Sequence, residues 1–452
     1  MTLYQFFSQF FSLSENRTNV RTELLAGLTT FLTMAYIIFV QPAVLSKDFA
    51  GNPTGLDFGA VLLATCVGSA LGSILMGLYA KYPIALAPGM GENFFFVSVV
   101  MSLTALGVTE AWRVTLAIVF LSGIIFLILS IFRLREAIID TVSPSMANGI
   151  AVGIGFFIAF IGLRNGGLIV GKPGTLVGLT SEMVAPDRAV FFLGLLVTAV
   201  LHVRRVRGSI LWGILSATLL AILLGQVKVP GQIFGWPEIR QSALFQLDLK
   251  GALTLTCLPF IAVFLFMVMF DTVGTLIGVA EQAGFMKKGK LPRANRALMV
   301  DAAATTAGAC LGTSTITCFI ESATGVEYGG RTGLTSITTG VLFLLALFLS
   351  PIVGMVAHYP PITAPALVLV GAMMIQNVRK IDWPAYDESI PAFLVMIGVP
   401  LTYSIADGLA LGFVSYPVIK LLSGKAKEVK WLIIVLAAVL MAYFIFVRSK
   451  LG

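Results

Sequence analysis

Long apolar runs separated by short polar connections dominate the sequence. Most of the runs are about 20 residues long, the length that an α-helix needs to cross the ~30 Å hydrocarbon core of a bilayer. A membrane β-barrel would instead show short segments in which apolar and polar residues alternate. The pattern therefore predicts an all-α polytopic membrane protein.

The runs predict about 14 transmembrane segments. In the first half they lie at 24–45, 58–79, 84–106, 112–132, 144–164, 189–203 and 209–225. In the second half they lie at 253–280, 296–312, 313–331, 334–356, 364–378, 390–423 and 430–447. Pro and Gly interrupt 390–423, which predicts either one broken segment or two short ones. Because each half has an odd number of segments, the second half has the inverted membrane topology relative to the first.

The third run of each half is interrupted: "IALAPGMGENFFF" (84–96) and "GTSTITCFIES" (312–322). Pro88 and Gly89 oppose a continuous helix, and the β-branched run 313–317 favours an extended backbone. Each break is predicted to hold a short strand followed by a half-helix, starting near Glu92 and Ile320. Such breaks at matching positions are typical of transporters built from inverted repeats, with the binding site where the breaks meet.

Composition and charge fit a membrane protein, since 58% of the residues are hydrophobic and 12% are charged. The formal charge of +8 comes from short basic clusters between the apolar runs, at 133–135, 204–207, 287–296 and 379–380. With a cytoplasmic N-terminus, all four clusters fall on the cytoplasmic side, as the positive-inside rule expects, and no nucleic-acid partner is indicated. Apolar residues at helical spacing in residues 1–22 predict a short cytoplasmic helix on the membrane surface.

The sequence indicates neither a metal site nor an enzyme. Its cysteines show no CxxC spacing, and both histidines, His202 and His358, lie near segment ends. No HExxH or GxSxG motif is present, and no cofactor is predicted.

Acidic residues at membrane depth are costly and are therefore candidates for function. Asp271 lies deep in an apolar run, with Gly274, Thr275 and Gly278 following on the same helix face. Glu321 lies at the predicted start of a half-helix, where it either contacts a ligand or caps the helix. Asp301 lies near the start of its segment, and the sequence favours neither a functional role nor structural pairing for it. Other acids near membrane depth are Glu92, Glu281, Glu327 and Asp407.

A heterocycle with N–H donors matches such a site, because carboxylates accept N–H groups and aromatic rings stack on a flat ligand. The substrate-binding candidates from the residues are Glu321, Asp271, Glu92, Phe94, Thr275, Phe319 and Ser322, with support from Asp301 and Thr33. Asp271 is also the candidate for proton coupling, because an apolar environment disfavours its charged form. Glu321 would hold the substrate instead.

Four stretches resemble one family: "NRTNVRTELLAGLTTFLTMAYIIFVQPAVLS", "MFDTVGTLIGVAEQAG", "DAAATTAGACLGTSTITCFIESATGVEYGGRTGLTS" and "PLTYSIADGLALGFVSYPVIKLL". They are similar to the azaguanine-type (AzgA-like) purine permeases of the nucleobase/ascorbate transporter family. The resemblance implies a uracil-permease-like fold of two inverted seven-span repeats, often paired as a homodimer. It also implies proton symport of adenine, guanine or hypoxanthine across the bacterial inner membrane, with the acids of spans 8 and 10 at Asp271 and Glu321.

The resemblance further implies a division into domains. Residues 1–22 precede a core domain, formed by 23–135 and 252–357, and a gate domain, formed by 136–228 and 358–452. The resemblance also implies that Asn93, which matches the family's span-3 asparagine, binds the substrate. One departure concerns Glu92, because the family has an apolar residue at this position before the asparagine. The preferred purine is therefore open, and the alternative is another small solute on the same fold, either xanthine or uracil or an anion. Several carboxylates facing the site argue against an anion.

Overall fold

The computed structural model describes residues 9–132, 142–286 and 291–446. Residues 1–8, the basic cluster 133–135 and the first four residues of the basic cluster 287–296 lie outside these ranges. In the described chain, eight helices are long and apolar enough to cross a membrane, and four shorter apolar helices accompany them. The predicted all-α membrane fold is confirmed.

The described residues of the first half form eight helices and three strands. Their bounds are α1 Val20–Met34, α2 Ile37–Leu45, α3 Phe58–Leu75, β1 Leu86–Pro88, α4 Met90–Ala105, α5 Ala111–Ile131, α6 Pro144–Asn165, β2 Ile169–Lys172, β3 Leu176–Leu179, α7 Pro186–Val203 and α8 Ser209–Leu223. A π-helical turn, Met76–Ala80, extends α3. Segment 1 differs from its prediction because it is divided into α1 and α2, which meet at residues 35–36.

The second half begins with the short α9, Leu249–Ala252. It continues with α10 Leu258–Gln282, α11 Ala294–Leu311, β4 Ile316–Cys318, α12 Ser322–Tyr328, α13 Gly333–Ala346, α14 Ser350–Ala357, α15 Pro360–Ile375, α16 Tyr386–Thr402, α17 Ile405–Leu422 and α18 Trp431–Phe446. The predicted segment 334–356 is two helices, because Pro351 at the start of α14 lacks the N–H that a continuous helix would need. The stretch 390–423 is two helices, α16 and α17, joined at Tyr403.

The two interrupted segments meet through their strands. β1 and β4 pair in antiparallel register, with Leu86 opposite Cys318 and Pro88 opposite Ile316. A half-helix follows each strand, α4 from Met90 and α12 from Ser322. The predicted strand and half-helix in each break are therefore confirmed, within two residues of the expected helix starts.

The helices pack in two sets. The first set contains α1–α5 and α10–α13, with α1 against α12 and α13, and α5 against α10 and α11. The second contains α6–α8 and α15–α17, with α6 packed along α15 and α16. α18 lies beside α17 and also touches α10. Each set combines elements from both halves of the chain, as inverted repeats require.

Connections at the two ends of the helices form two distinct faces. On one face, which we call the basic face, Arg293 lies over the Tyr82 ring, Arg296 over Tyr79 and Arg207 over Tyr328. On the opposite face, Arg240 donates its backbone N–H to Asp57, and Asp248 donates its own to the carbonyl of Arg113. The positive-inside rule predicts that the basic face is cytoplasmic.

Candidate functional site

The two paired strands lie in the buried interior, so every outward backbone group needs a partner from the protein. On the β1 side, the Ser73 hydroxyl both accepts from the Leu86 N–H, at 2.9 Å, and donates to the Leu86 carbonyl, at 3.2 Å. On the β4 side, Thr305 donates to the Ile316 carbonyl at 3.0 Å. Side chains of α3 and α11 therefore replace the missing neighbouring strands.

Asp301 completes the β4 edge. Its Oδ1 accepts from the Cys318 N–H at 2.8 Å and its Oδ2 accepts from the Thr272 hydroxyl at 2.7 Å. The side chain is fully buried. Both oxygens of Asp301 thus hold the strand and α10 in place, and this geometry favours support of the site over substrate contact.

Glu321 lies between β4 and α12 and is half-buried. Its side chain makes no capping hydrogen bond to α12. Instead, Oε1 accepts from the Tyr36 hydroxyl at 2.9 Å. Tyr36 is buried at the junction between α1 and α2. Glu321 is therefore oriented from segment 1, and the capping alternative has no hydrogen bond to support it.

Asp271 lies about halfway along α10, and its side chain is exposed although the helix crosses the membrane. Its Oδ2 accepts from the Thr317 hydroxyl of β4 at 3.1 Å. One turn further along α10, a Cβ at Gly274 would meet no atom within 4 Å, and Ile320 is 45% exposed. Asp271 and the start of α12 therefore border open space between membrane-spanning elements.

Glu92 lies in the first turn of α4 and is buried. Its carboxylate folds back over Gly89, where an added Cβ would overlap Oε2 and would also lie 3.3 Å from the Thr317 hydroxyl. Gly89 is thus required for this close approach. Glu92 and Asp271 consequently lie near the same hydroxyl, that of Thr317.

Asn93 is fully buried and accepts a hydrogen bond from the Ser314 hydroxyl. Gln41 of α2 donates to Ser314 at 3.2 Å and to Thr313 at 2.9 Å. Asn93 therefore ties segment 3 to segments 1 and 10 through a buried polar network.

The remaining candidates have separate positions. Ser322 accepts from the Ala85 N–H at 3.0 Å, and Thr33 lies 3.1 Å from the Thr324 hydroxyl on α12. Thr275 is buried one turn after Asp271 on α10, and Phe319 is buried between β4 and α12. Phe94 packs instead against Phe49 and Phe157, with ring centroids 6.4 and 6.2 Å away. The breaks therefore bring Glu321, Asp271 and Glu92 together, whereas Phe94 faces an aromatic cluster.

Sequence reasoning missed Tyr36, Thr317 and Gln41. Tyr36 and Gln41 are polar groups within an apolar run, a signal similar to the one that identified Asp271. For Thr317, the sequence showed only a β-branched residue in an extended stretch. Among the described residues, no group of three or more His, Cys, Asp and Glu is placed to hold a metal ion.

Comparisons with known proteins agree with this architecture. Residues 21–411 match the model of the Permease family. The guanine/hypoxanthine permease PbuG of Bacillus subtilis (strain 168) is 45% identical over 445 residues, which cover 97% of this chain and 99% of that protein. The adenine permease AdeP of Escherichia coli (strain K12) is 40% identical over 440 residues, covering 97% and 96%.

A solved structure shares the fold at low sequence identity. The transmembrane domain of the cyanobacterial bicarbonate transporter BicA superposes with a TM-score of 0.60 and 15% identity. The match covers 88% of this chain and 97% of that domain. At this identity the likeness concerns the fold alone.

Proposed function

Because this chain belongs to the Permease family, we propose that it is a secondary transporter that imports purine nucleobases, namely guanine, hypoxanthine or adenine, by proton symport. The chain is a multi-pass membrane transporter rather than an enzyme. The names of two relatives, a guanine/hypoxanthine permease and an adenine permease, support the substrate class. Its proposed location is the bacterial inner membrane, and its proposed assembly is a homodimer.

The observation that carries the proposal is the position of Glu321 and Asp271 beside the paired strand breaks. Tyr36 orients Glu321, Thr317 orients Asp271, and the exposed Asp271 borders open space. A carboxylate accepts N–H groups and donates none when ionised, which suits a purine that offers ring N–H donors. We assign the purine contact to Glu321 and the proton to Asp271, with Glu92 near Asp271 on the other side of the Thr317 hydroxyl.

The two helix sets supply the proposed transport movement. The first set, α1–α5 with α10–α13, would be the core domain that carries the site, and the second, α6–α8 with α15–α17, would be the gate domain. Rocking of one set against the other would expose the site to each side of the membrane in turn.

An anion transporter is the competing function on this fold. Glu321, Asp271 and Glu92 lie at the strand breaks, and ionised carboxylates would repel an anion. The charge of the site therefore favours a neutral heterocycle.

The test measures uptake of labelled hypoxanthine, guanine and adenine in cells that lack their own purine permeases. Uptake of bicarbonate and of sulfate is measured in the same cells to test the anion alternative. We expect purine uptake and no anion uptake. Anion uptake without purine uptake would overturn the proposal.

The role of Glu321 is tested by Glu321→Gln, which replaces an acceptor oxygen with a donor amide. Loss of a charge-assisted hydrogen bond, about 1.5–3 kcal/mol, should weaken purine binding roughly ten- to a hundredfold. Glu327→Gln is the matched control, because Glu327 is an exposed acid on α12, the half-helix that follows Glu321. Binding by Glu321→Gln as tight as that of the wild type would exclude Glu321 as a ligand.

A further inference from the structure

Ile320 is an exposed apolar residue in the connection between β4 and α12, next to Glu321. Its side chain is 45% exposed. Phe319, on its other side, is buried in the main hydrophobic core. Ser322 is also buried, and its hydroxyl accepts from the Ala85 N–H at 3.0 Å. Of the two apolar residues in this connection, Ile320 is therefore the one that a ligand can reach.

Ile320 lies against the face of α10 that carries Asp271. A Cβ added at Gly278 would lie 3.4 Å from Ile320 Cδ1. Gly278 follows Asp271 by about two helical turns, so the two residues share one face of α10. At the level of Asp271, the Thr317 hydroxyl makes the corresponding contact from β4. The chain from β4 to α12 thus runs along this face.

The space between these two contacts is open. Gly274 lies between Asp271 and Gly278 on the same face, and a Cβ added at Gly274 would meet no atom within 4 Å. A glycine that allowed two helices to pack closely would have neighbours at that distance. Because a carboxylate is costly to expose to hydrocarbon, the face that carries Asp271 borders an aqueous space and not lipid. Ile320 therefore lies at the edge of an aqueous space.

A purine has polar edges and apolar faces. Its N–H groups suit a carboxylate, whereas its flat faces suit apolar side chains, which line most of a typical ligand site. Glu321 is the proposed acceptor at the edge. The phenylalanines expected to contact the ring lie elsewhere, since Phe319 is buried and Phe94 packs in an aromatic cluster. Ile320, adjacent to Glu321, is an apolar group that borders the open space.

We infer that the Ile320 side chain is the surface on which the purine ring lies, with an edge of the ring at Glu321. This inference rests on the proposed purine-transport function. The contact depends on dispersion and on the removal of apolar surface from water, so it stabilises every purine to a similar extent. It also favours a flat heterocycle over a hydrated anion, which has no apolar face to bury.

The first experiment measures purine binding and thermal stability of Ile320→Ala. Loss of apolar contact should weaken hypoxanthine, guanine and adenine binding by the same factor, roughly three- to tenfold. The melting temperature should stay at the wild-type value, because an exposed side chain contributes little to stability. Ile320→Leu keeps the number of carbon atoms and should bind within about twofold of the wild type. Val341→Ala is the matched control, because Val341 is 44% exposed on α13, outside this connection.

The second experiment distinguishes a ligand contact from exposure to lipid. Ile320→Cys and Val341→Cys are compared in a chain whose native cysteines are replaced, in lipid nanodiscs that leave both faces open to a charged thiol reagent. A thiol reacts as its thiolate, which forms in water and not in hydrocarbon. Ile320→Cys should therefore react about tenfold faster than Val341→Cys. Saturating hypoxanthine should slow the reaction of Ile320→Cys about tenfold, because the bound ring covers the side chain.

The outcomes separate this inference from the proposed function. Wild-type affinity in Ile320→Ala, or a loss confined to one purine, would overturn the inference while leaving purine transport intact. A lower melting temperature of Ile320→Ala would assign Ile320 to packing, and equally slow labelling of the two cysteine variants would place it in lipid. Labelling of Ile320→Cys that hypoxanthine does not slow would also overturn the inference. Failure of every purine to bind the wild type would instead refute the proposed function.

Discussion

Four carboxyls beside the strand breaks differ in the partners that they have. Asp301 uses both oxygens to hold Thr272 and the backbone of Cys318, whereas Glu321 and Asp271 each accept from one hydroxyl. Glu92 is folded over Gly89. A carboxyl whose two oxygens both bind the protein is suited to support, and one that a hydroxyl orients through a single oxygen keeps lone pairs for a ligand or a proton.

At the residue scale, the proposed proton carrier can be tested by Asp271→Asn, which stays neutral at every pH. One proton moved across about 100 mV supplies about 2.3 kcal/mol, enough for roughly fiftyfold accumulation of a co-transported solute. In liposomes, Asp271→Asn should still exchange purine across the membrane, but its accumulation ratio should fall to about one.

Glu281→Gln is the control for this prediction, because Glu281 is an exposed acid further along the same helix. It should accumulate purine as the wild type does. Full accumulation by Asp271→Asn would contradict the assignment of Asp271 as the proton carrier. The role would then be assigned to Glu92, the neighbouring acid near Thr317.

At the element scale, α1 supports the half-helix α12 along its length. Near the junction with α2, Tyr36 contacts Glu321, and at the other end the buried Glu23 accepts from the backbone N–H of Arg331, at 2.9 Å, and of Thr332, at 3.2 Å. Between them, an added Cβ at Gly325 would overlap Thr30. The chain is thus held on both sides of α12, which alone is too short to be a stable helix.

Glu23→Gln tests this support. The amide keeps one acceptor oxygen but places a donor against the backbone N–H of either Arg331 or Thr332, which bind Oε1 and Oε2. We expect a loss of about 1.5–3 kcal/mol of stability, measured as a lower melting temperature in detergent. Glu15→Gln, at an exposed glutamate before α1, should melt as the wild type does. Equal melting of Glu23→Gln and the wild type would exclude Glu23 as a support.

At the scale of the whole molecule, an aromatic cluster joins the two helix sets away from the basic face. Tyr403, at the turn between α16 and α17, lies 5.2 Å from Phe49 and 5.2 Å from Phe157, measured between ring centroids. Arg164 donates to the Tyr403 hydroxyl at 2.9 Å. Phe49 follows α2 in the first set, whereas Phe157 and Tyr403 belong to the second. The sets are therefore in contact at this end.

If transport requires the two sets to separate at this end, a covalent link across the cluster should stop it. We expect a short thiol cross-linker to block uptake by Phe49→Cys/Tyr403→Cys, in a chain whose native cysteines are replaced, and reduction of the link to restore it. Phe157→Cys/Tyr403→Cys is the control, because it spans the same distance within one set. Uptake that survives complete cross-linking between Phe49 and Tyr403 would show that this contact does not open during transport.

The sequence by itself determined the membrane class, the positions of most segments, the two interrupted segments and the acids worth testing. Each of these depends on a property that is local in the chain: the length of an apolar run, the effect of Pro and β-branched residues on the backbone, or the cost of a charge at membrane depth. Asp271 and Glu321 could be selected in this way because few acids interrupt the apolar runs.

Only the tertiary structure decided which partner each acid has. Tyr36 and Glu321 are 285 residues apart, and Ser314 and Asn93 are 221 apart. Contacts between residues far apart in the chain also place Phe94 in an aromatic cluster and let Asp301 accept a hydrogen bond from the backbone of β4. Such contacts arise where two inverted halves pack against each other, and a side chain's nearest neighbours there are set by the packing of whole helices rather than by the residues beside it in the chain.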